Sequence, residues 1–383
     1  MSEWVQYRFS DFVEINPKVR LVSGSEYPFI EMKDLDSETR YCHAKTTRVA
    51  SSGARFESGD TLFAKITPCL ENGKICQVGN VVTPGFGSTE FLVFRGKPTI
   101  SDSDFIFYLS RSQSVREFAE NNFEGTSGRQ RVPKSCFELL YMILPQLAEQ
   151  KVIADCLGGI DAKIDLLHRQ NCTLQHLNTT IFKQMFGCSD SGTIRSTLRD
   201  EFDFTMGQSP PGDALNEEGE GIEFYQGNAD FGFRFPQARV FTTVPTRLAK
   251  KYNTLISVRA PVGEINMALG DCCLGRGVAA FRYKSNPGYY SYAFYKLQSI
   301  VSHIKQFNDT GTVFGSISKT DFEKMEIDIP PKSLIDEFEA KAAPLDSKIY
   351  HNHCQIQTLS NLRDKLLPKL ISGEIKLKHE PTS

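Results

Sequence analysis

The sequence predicts an α+β protein built twice over: two β-rich globular heads, each followed by one long helix, with the two helices pairing as an antiparallel coiled coil. Three observations carry that prediction. The chain repeats itself at an offset of 185 positions, each repeat ends in a proline-poor stretch with heptad-spaced apolar residues, and the rest holds short apolar runs bounded by Gly, Pro, Asn and Asp.

The repeat is clearest where each head meets its helix. FELLYMILPQL (Phe137 to Leu147) lies over FEKMEIDIPPK (Phe322 to Lys332), so Phe137 falls on Phe322, Glu138 on Glu323 and Pro145 on Pro330. Lys134 falls on Lys319 and IDAKI on LDSKI at the same offset, as do Leu174 on Leu359 and Leu177 on Leu362. Upstream the match is gapped: Thr61, Leu62, Pro68, Gly73 and Ile75 answer to Thr254, Leu255, Pro261, Gly263 and Ile265.

Residues 1–146 form the first head. Runs such as FLVF (Phe91 to Phe94) read as strands, and FIFYLSRSQSVREFAENN reads as one helix. Residues 147–187 form the first long helix, with Ile153, Ile160, Leu167 and Leu174 on one heptad line and Leu157, Ile164, Asn171 and Asn178 on the other. Residues 188–197 are a polar linker, and the second head covers 198–332, with VAAFRY as a strand and YYSYAFYKLQSIVSHIKQF as one helix. The second long helix covers 333–373, opened by a Ser333–Asp336 capping box, and 374–383 form a tail. Its lines run through Leu345, Asn352, Leu359 and Leu366, and through Ile349 and Ile356; Pro344 is expected to kink it. If facing residue numbers sum to 523, Asn171 meets Asn352, Ile164 meets Leu359, Leu157 meets Leu366 and Leu174 meets Ile349. A buried Asn–Asn pair fixes register at a cost in stability. Asparagines on a wet edge are the alternative. About 40 helical residues span roughly 60 Å, longer than the roughly 34 Å of one DNA turn.

Composition narrows the function. Hydrophobic residues are 40% and charged residues 23%, as in an ordinary globular protein. No apolar stretch reaches the roughly 20 residues that span a bilayer, and the opening MSEWVQYRFSDF predicts no signal peptide. Ten cysteines without a C-x-x-C pair predict free thiols in a reducing cytoplasm, and seven histidines form no ligand pattern. The net charge of −2 argues against a self-sufficient DNA binder but leaves room for basic residues gathered on one face.

The head–helix–head–helix order, with LPQLAEQKVIADCLGGIDAKI and LRDKLLPKLISGEI at the boundaries, resembles the DNA-specificity (S) subunit of type I restriction–modification enzymes over essentially the whole chain. That resemblance implies a non-catalytic protein. Each head would be a target recognition domain reading one half of a bipartite double-stranded DNA site. The helices would set the gap and dock two methyltransferase subunits, which use S-adenosylmethionine; restriction subunits would complete the complex. The chain departs from a perfect repeat, because Glu149-Gln150 has no counterpart at the start of the second helix. The chain itself is expected to hold no cofactor and no metal. It lacks an Asn-Pro-Pro-aromatic element, a phosphate loop, H-E-x-x-H and G-x-S-x-G. Gly85-Phe86-Gly87 reads as a turn, and Glu71-Asn72-Gly73-Lys74 lacks the partner acid of a nuclease site.

Base reading calls for Arg, Lys, Asn or Gln at base edges and cations at phosphates. The densest candidate is GTSGRQRVPK, with Arg129, Gln130 and Arg131 for base edges and Lys134 for a phosphate. Its counterpart GTVFGSISK keeps Thr312, Ser316, Ser318 and Lys319. Lys65 and Arg259, one step out of register, join Lys33, Gln226, Asn228, Arg234 and Arg276 as further candidates; a solvated surface charge is the plain alternative for each. A free-standing regulator, a protein scaffold and an enzyme with an unrecognised site are the competing functions. Salt-dependent DNA affinity separates the scaffold from the DNA readers, and need for a methyltransferase partner separates the subunit from the regulator.

Overall fold

The computed structural model describes residues 4–79, 84–126, 128–187, 192–306 and 316–377. Compactness divides the chain into Met1–Arg169 with His353–Ser383, and Gln170–Asn352. Each unit holds one head and half of each long helix, because the apolar stripe of a half-helix is buried within its own unit.

In the first unit, strands Val13–Ile15, Phe91–Gly96, Thr61–Ala64, Ile75–Val78 and Tyr41–Cys42 lie side by side in that order. A second sheet runs Thr46–Val49, Glu26–Ile30, Gly85–Gly87, Ala54–Phe56. The second unit repeats the plan. One sheet runs Phe202–Met206, Val278–Tyr283, Thr254–Ser257, Ile265–Met267. The other runs Leu215–Asn216, Val240–Thr242, Ile222–Tyr225, Cys272–Leu274, Leu248–Ala249. Strands such as Thr61–Ala64 and Thr254–Ser257 are buried at every residue, so they show no alternation of apolar and polar positions. Residues 194–197, expected as linker, instead form the strand Ile194–Thr197 against Glu326–Ile329, matching Val5–Arg8 against Tyr141–Leu144 in the first unit.

Each predicted head helix is two helices. Ser103–Arg111 and Gln113–Asn121 are separated by Ser112, whose extended backbone and hydroxyl bond to the Leu109 carbonyl (2.6 Å) end the first. Tyr290–Ser299 and Val301–Gln306 are their counterparts.

The long helices are Leu147–Phe186 and Lys332–Ile371; Pro344, expected to kink the second, lies inside its unbroken range. The Ser333 capping box does not form as predicted. The helix starts at Lys332, the Pro331 carbonyl accepts from the Leu334 and Ile335 amides, and Asp336 instead accepts from the Tyr289 hydroxyl (2.9 Å). In the first unit, Ile153 and Leu157 join the head's core together with Leu370, with Leu366 against it. Ile164, Leu167 and Ile356 cluster with Ile160 and Leu359. In the second unit, Phe338, Ala342 and Ile349 are buried in the head's core, with Leu174 and Ile181 packed on it. The buried Asn352 donates from Nδ2 to Asn171 Oδ1 at 2.9 Å, the pairing that the sum rule predicts. Leu345 departs from the predicted line: it is only half-buried and belongs to no core cluster. The inward position beside it is taken by Asp346, which a buried arginine and tyrosine engage.

Candidate nucleic-acid interface

In the first head the buried strand Thr61–Ala64 ends at Lys65, and the Arg129–Arg131 segment is laid against the residues that follow. The Val132 amide donates to the Lys65 carbonyl (2.8 Å), the Thr67 amide to the Gln130 carbonyl (3.1 Å), and the Gln130 amide to Thr67 Oγ1 (3.2 Å). Lys65, Arg129, Gln130 and Arg131 therefore share one end of the sheet. Arg131 is committed there: Nε and Nη2 donate to Glu90 at 2.9 and 2.7 Å, and Nη1 donates to the Arg129 carbonyl at 3.2 Å. This fork holds the Glu90 carboxyl below its ordinary range, so Arg131 braces the loop while Arg129 stays exposed with no ion pair among the described residues. Lys134 is exposed at the start of the short 3-10 helix Lys134–Glu138.

Sequence reasoning missed the cleft beside this segment. Lys18, Arg20, Arg55 and Lys65 line a cavity of ≈ 590 Å³ together with Phe91. Lys18, Arg20 and Arg55 are exposed, and none of the four makes an ion pair among the described residues. Arg55 Nη1 donates to the Val19 carbonyl (3.1 Å), which ties the two walls together. Four cations without acids around one concave surface suit a polyanion backbone. The sequence signal was faint, a lysine and an arginine two apart in NPKVR and a lone Arg in a strand; only sheet pairing gathers them.

The second head builds its end differently. A ladder of backbone bonds runs from Ile317 to Val258 (3.1 Å), Val258 to Gly277 (2.8 Å) and Gly277 to Gln226 (3.1 Å). It brings together the exposed Gln226, Arg276, Arg259 and Ser316, with Arg259 bridged to Ser316. A Cβ at Gly277 would lie 2.3 Å from the Gln226 carbonyl oxygen, so glycine is required for this close approach. Ile317 on Val258 matches Val132 on Lys65, which places Lys65 and Arg259 one residue apart in the two heads, as the sequences suggest. Strand register likewise matches Arg55 with Leu248, so two cations of the first cleft are apolar in the second head. Arg247, not anticipated, is exposed on this end, its carbonyl accepting from the Leu274 amide (2.8 Å).

Asn228 opens the 3-10 turn Asn228–Asp230, where Asp230 Oδ2 accepts from the Gln226 amide (2.8 Å). Lys33 sits in the matching turn Met32–Asp34, ion-paired with Glu31, which also takes Arg48. These cations lower the Glu31 carboxyl and raise the Lys33 ammonium, so Lys33 is a locally neutralised charge. Lys319 is exposed, 3.7 Å from Glu323, at the start of Lys319–Lys324, which Ser318 caps. Thr312, like Ser127 of the first segment, lies outside the described residues.

Arg234 is a correction. It is 2% exposed, ion-paired with Asp346 at 2.9 Å and centred 3.3 Å from the Phe294 ring. A guanidinium enclosed by an aromatic face and a carboxylate holds the head together and cannot reach DNA. Among the described residues no group of His, Cys, Asp and Glu could hold a metal ion, and no helix is long and apolar enough to cross a membrane.

Two heads of one plan, each with polar and basic loops at the matching sheet end, define a duplicated recognition protein. The family model for the type I restriction modification DNA specificity domain matches residues 1–176 and 196–341, and the chain belongs to that family. A relative named as a type I restriction enzyme MjaX specificity subunit, from Methanocaldococcus jannaschii, is 26% identical over 337 residues, covering 84% of this chain and 79% of its own. The type I restriction enzyme HindI specificity subunit of Haemophilus influenzae is 23% identical over 467 aligned positions, covering 98% of this chain and 100% of its own. The crystal structure of a type I restriction-modification S subunit from M. genitalium shares the fold, with a TM-score of 0.60 at 17% identity, covering 97% of this chain and 96% of that one. The chain is thus a type I specificity subunit with two target recognition domains.

Proposed function

We propose that each head reads one half of a bipartite double-stranded DNA site, and that the long helices pair as an antiparallel coiled coil that sets the gap and docks two methyltransferase subunits. The observation that carries this reading is the duplicated sheet end: Lys65 with Arg129 and Gln130 in one head, Arg259 with Gln226, Arg276 and Asn228 in the other. In the first head Lys18, Arg20, Arg55, Lys65 and Lys134 take phosphates, and Arg129 and Gln130 approach base edges; Lys319 takes the matching phosphate in the second head. Arg131 and Lys33 act through the loops that they brace.

The Asn171–Asn352 bond and the matched clusters on either side of it support the coiled coil. Two identical partners need two equivalent surfaces. On the long helices the exposed Gln170, Thr173 and Leu177 recur as Gln355, Thr358 and Leu362, spaced so that each set keeps to one helix face. Methyl transfer, with S-adenosylmethionine and base flipping, belongs to the partner, and restriction subunits join the complete cytoplasmic complex.

The test is co-expression with the neighbouring methyltransferase subunit, mass measurement of the complex and mapping of adenine methylation on genomic DNA. A complex of two methyltransferase chains with one of these, methylating one split motif, is expected. A chain that purifies alone and adds no methylation overturns the reading. Replacing Lys18, Arg20, Arg55 and Lys65 by Ala together should reduce the salt slope of DNA affinity by roughly 4.

A further inference from the structure

Each unit buries one aspartate at the same place in the repeat, Asp161 in IDAKI and Asp346 in LDSKI. Around each stands the same kind of cage. In the first unit Asp161 Oδ2 accepts from the Tyr108 hydroxyl (2.6 Å) and Oδ1 from Arg363 Nη1 (2.8 Å). Arg40 donates to the Tyr108 oxygen (3.5 Å) and pairs with Asp104 at 2.7 Å. In the second unit Asp346 Oδ1 accepts from the Tyr295 hydroxyl (3.1 Å) and from Asn178 Nδ2 (3.2 Å), and pairs with Arg234 at 2.9 Å.

The cages correspond member by member. Tyr108 and Tyr295 follow Phe107 and Phe294 on the head helices, and Arg40 and Arg234 each lie over those aromatic pairs. Asn178 and Arg363 are 185 positions apart and reach the aspartate of the other long helix. Burial and the neighbouring aspartate push both tyrosines up, so each stays a hydroxyl donor. A buried charge network adds little net stability over apolar packing, yet its geometry is narrow. Its retention in both units, where the exposed cations of the two sheet ends differ, points to a task set by geometry.

We propose that Asp161 and Asp346 are paired positioning residues that fix the angle of each head on its helices and so set which gap between half-sites the chain accepts. This rests on the proposed function above. The two cages predict unequal control. In the first unit the ion pair joins helix to helix, and the head is held through the short Tyr108 hydroxyl bond and a longer Arg363 Nη1 bond to the Glu38 carbonyl (3.4 Å); in the second the ion pair itself joins head to helix through Arg234. Loss of the Tyr108 hydroxyl should therefore free its head more than loss of the Tyr295 hydroxyl frees the other.

The experiment uses the intact complex with the methyltransferase subunit and DNA carrying both half-sites at the native gap or at gaps one base pair shorter and longer. Tyr108→Phe should cut the preference for the native gap by roughly tenfold, the size of one buried hydrogen bond, with the half-site sequences unchanged. Tyr295→Phe should cut it less. Should Tyr108→Phe fail to assemble, Asp161→Asn with Arg363→Gln removes both charges together, so that neither is left as a lone buried ion, and should relax the gap preference likewise. Variants that melt earlier but keep the wild-type gap preference overturn the positioning role. A wild-type complex that methylates no split motif overturns instead the function on which the role rests.

Discussion

Gln150 and Glu339 each tie a long helix to the start of the head helix that carries the caging tyrosine, by different chemistry. Gln150, fully buried in the first long helix, accepts from the Asp102 amide (2.9 Å) and donates to the carbonyls of Ile100 (3.0 Å) and Pro145 (2.9 Å). Glu339, about one turn further along the second long helix by the repeat, accepts from the amides of Ser291 (3.3 Å) and Tyr292 (2.7 Å). Glu339 caps first-turn amides of the helix that carries Tyr295, where amides lack helical partners; in the first head Asp102 caps the equivalent amides of Asp104 and Phe105, and Gln150 holds the Asp102 amide just before that helix. The Gln150 amide is neutral at every pH. The Glu339 carboxyl is pushed up to about 7 by burial, against the pull of the amides that it accepts. The repeat has thus kept a tie from long helix to head helix at this place and let both its bonding pattern and its titration behaviour drift. The same holds for the cages: the cation of the second unit comes from the head as Arg234, that of the first from the partner helix as Arg363.

The largest expected break in this comparison is Arg234→Ala. It leaves Asp346 buried without its cation and should cost about 3–5 kcal/mol. Hydrogen exchange should place the loss in strand Val278–Tyr283 and helix Tyr290–Ser299; equal loosening of Phe91–Gly96 and Ser103–Arg111 would mean that the units do not hold their heads separately. The next is pH. A carboxyl raised from 4.5 to about 7 on folding makes the native state bind more protons between those values, so its contribution is full below pH 4.5 and is lost as pH rises through 7. The second unit should lose up to about 3 kcal/mol across that window. Glu339→Gln, which imitates Gln150, should flatten the profile measured by urea denaturation at stepped pH, and an unchanged slope would assign the titration elsewhere. The smallest effect concerns the pair common to both helices. Replacing Asn171 and Asn352 together by Leu should raise stability by about 1 kcal/mol while relaxing helix register, visible as a broadened gap preference in methylation.

Much of this was legible in the sequence because duplication writes the same physical constraint twice. The heptad lines follow from apolar spacing, and a register in which facing numbers sum to 523 puts Asn171 against Asn352, the bond that the structure holds. Lys65, Arg129 and Gln130 can be proposed from sequence because each closes a strand or loop that the repeat aligns. Arg234 was misread because a lone arginine in FGFRF looks like a loop charge. Its flanking aromatics were the available sign of burial. Lys18, Arg20 and Arg55 were missed because strand pairing, which is non-local, sets their proximity.

By itself the sequence determined the α+β class, the two long helices and the recurrence of one head, since periodicity and self-similarity are local or translational properties of a chain. Only the tertiary structure decided that each compact unit takes half of both helices, that Asp161 and Asp346 sit in matching cages, and that four scattered cations share one cleft. Those facts depend on which distant residues exclude water together, and that is settled by packing rather than by any stretch of sequence.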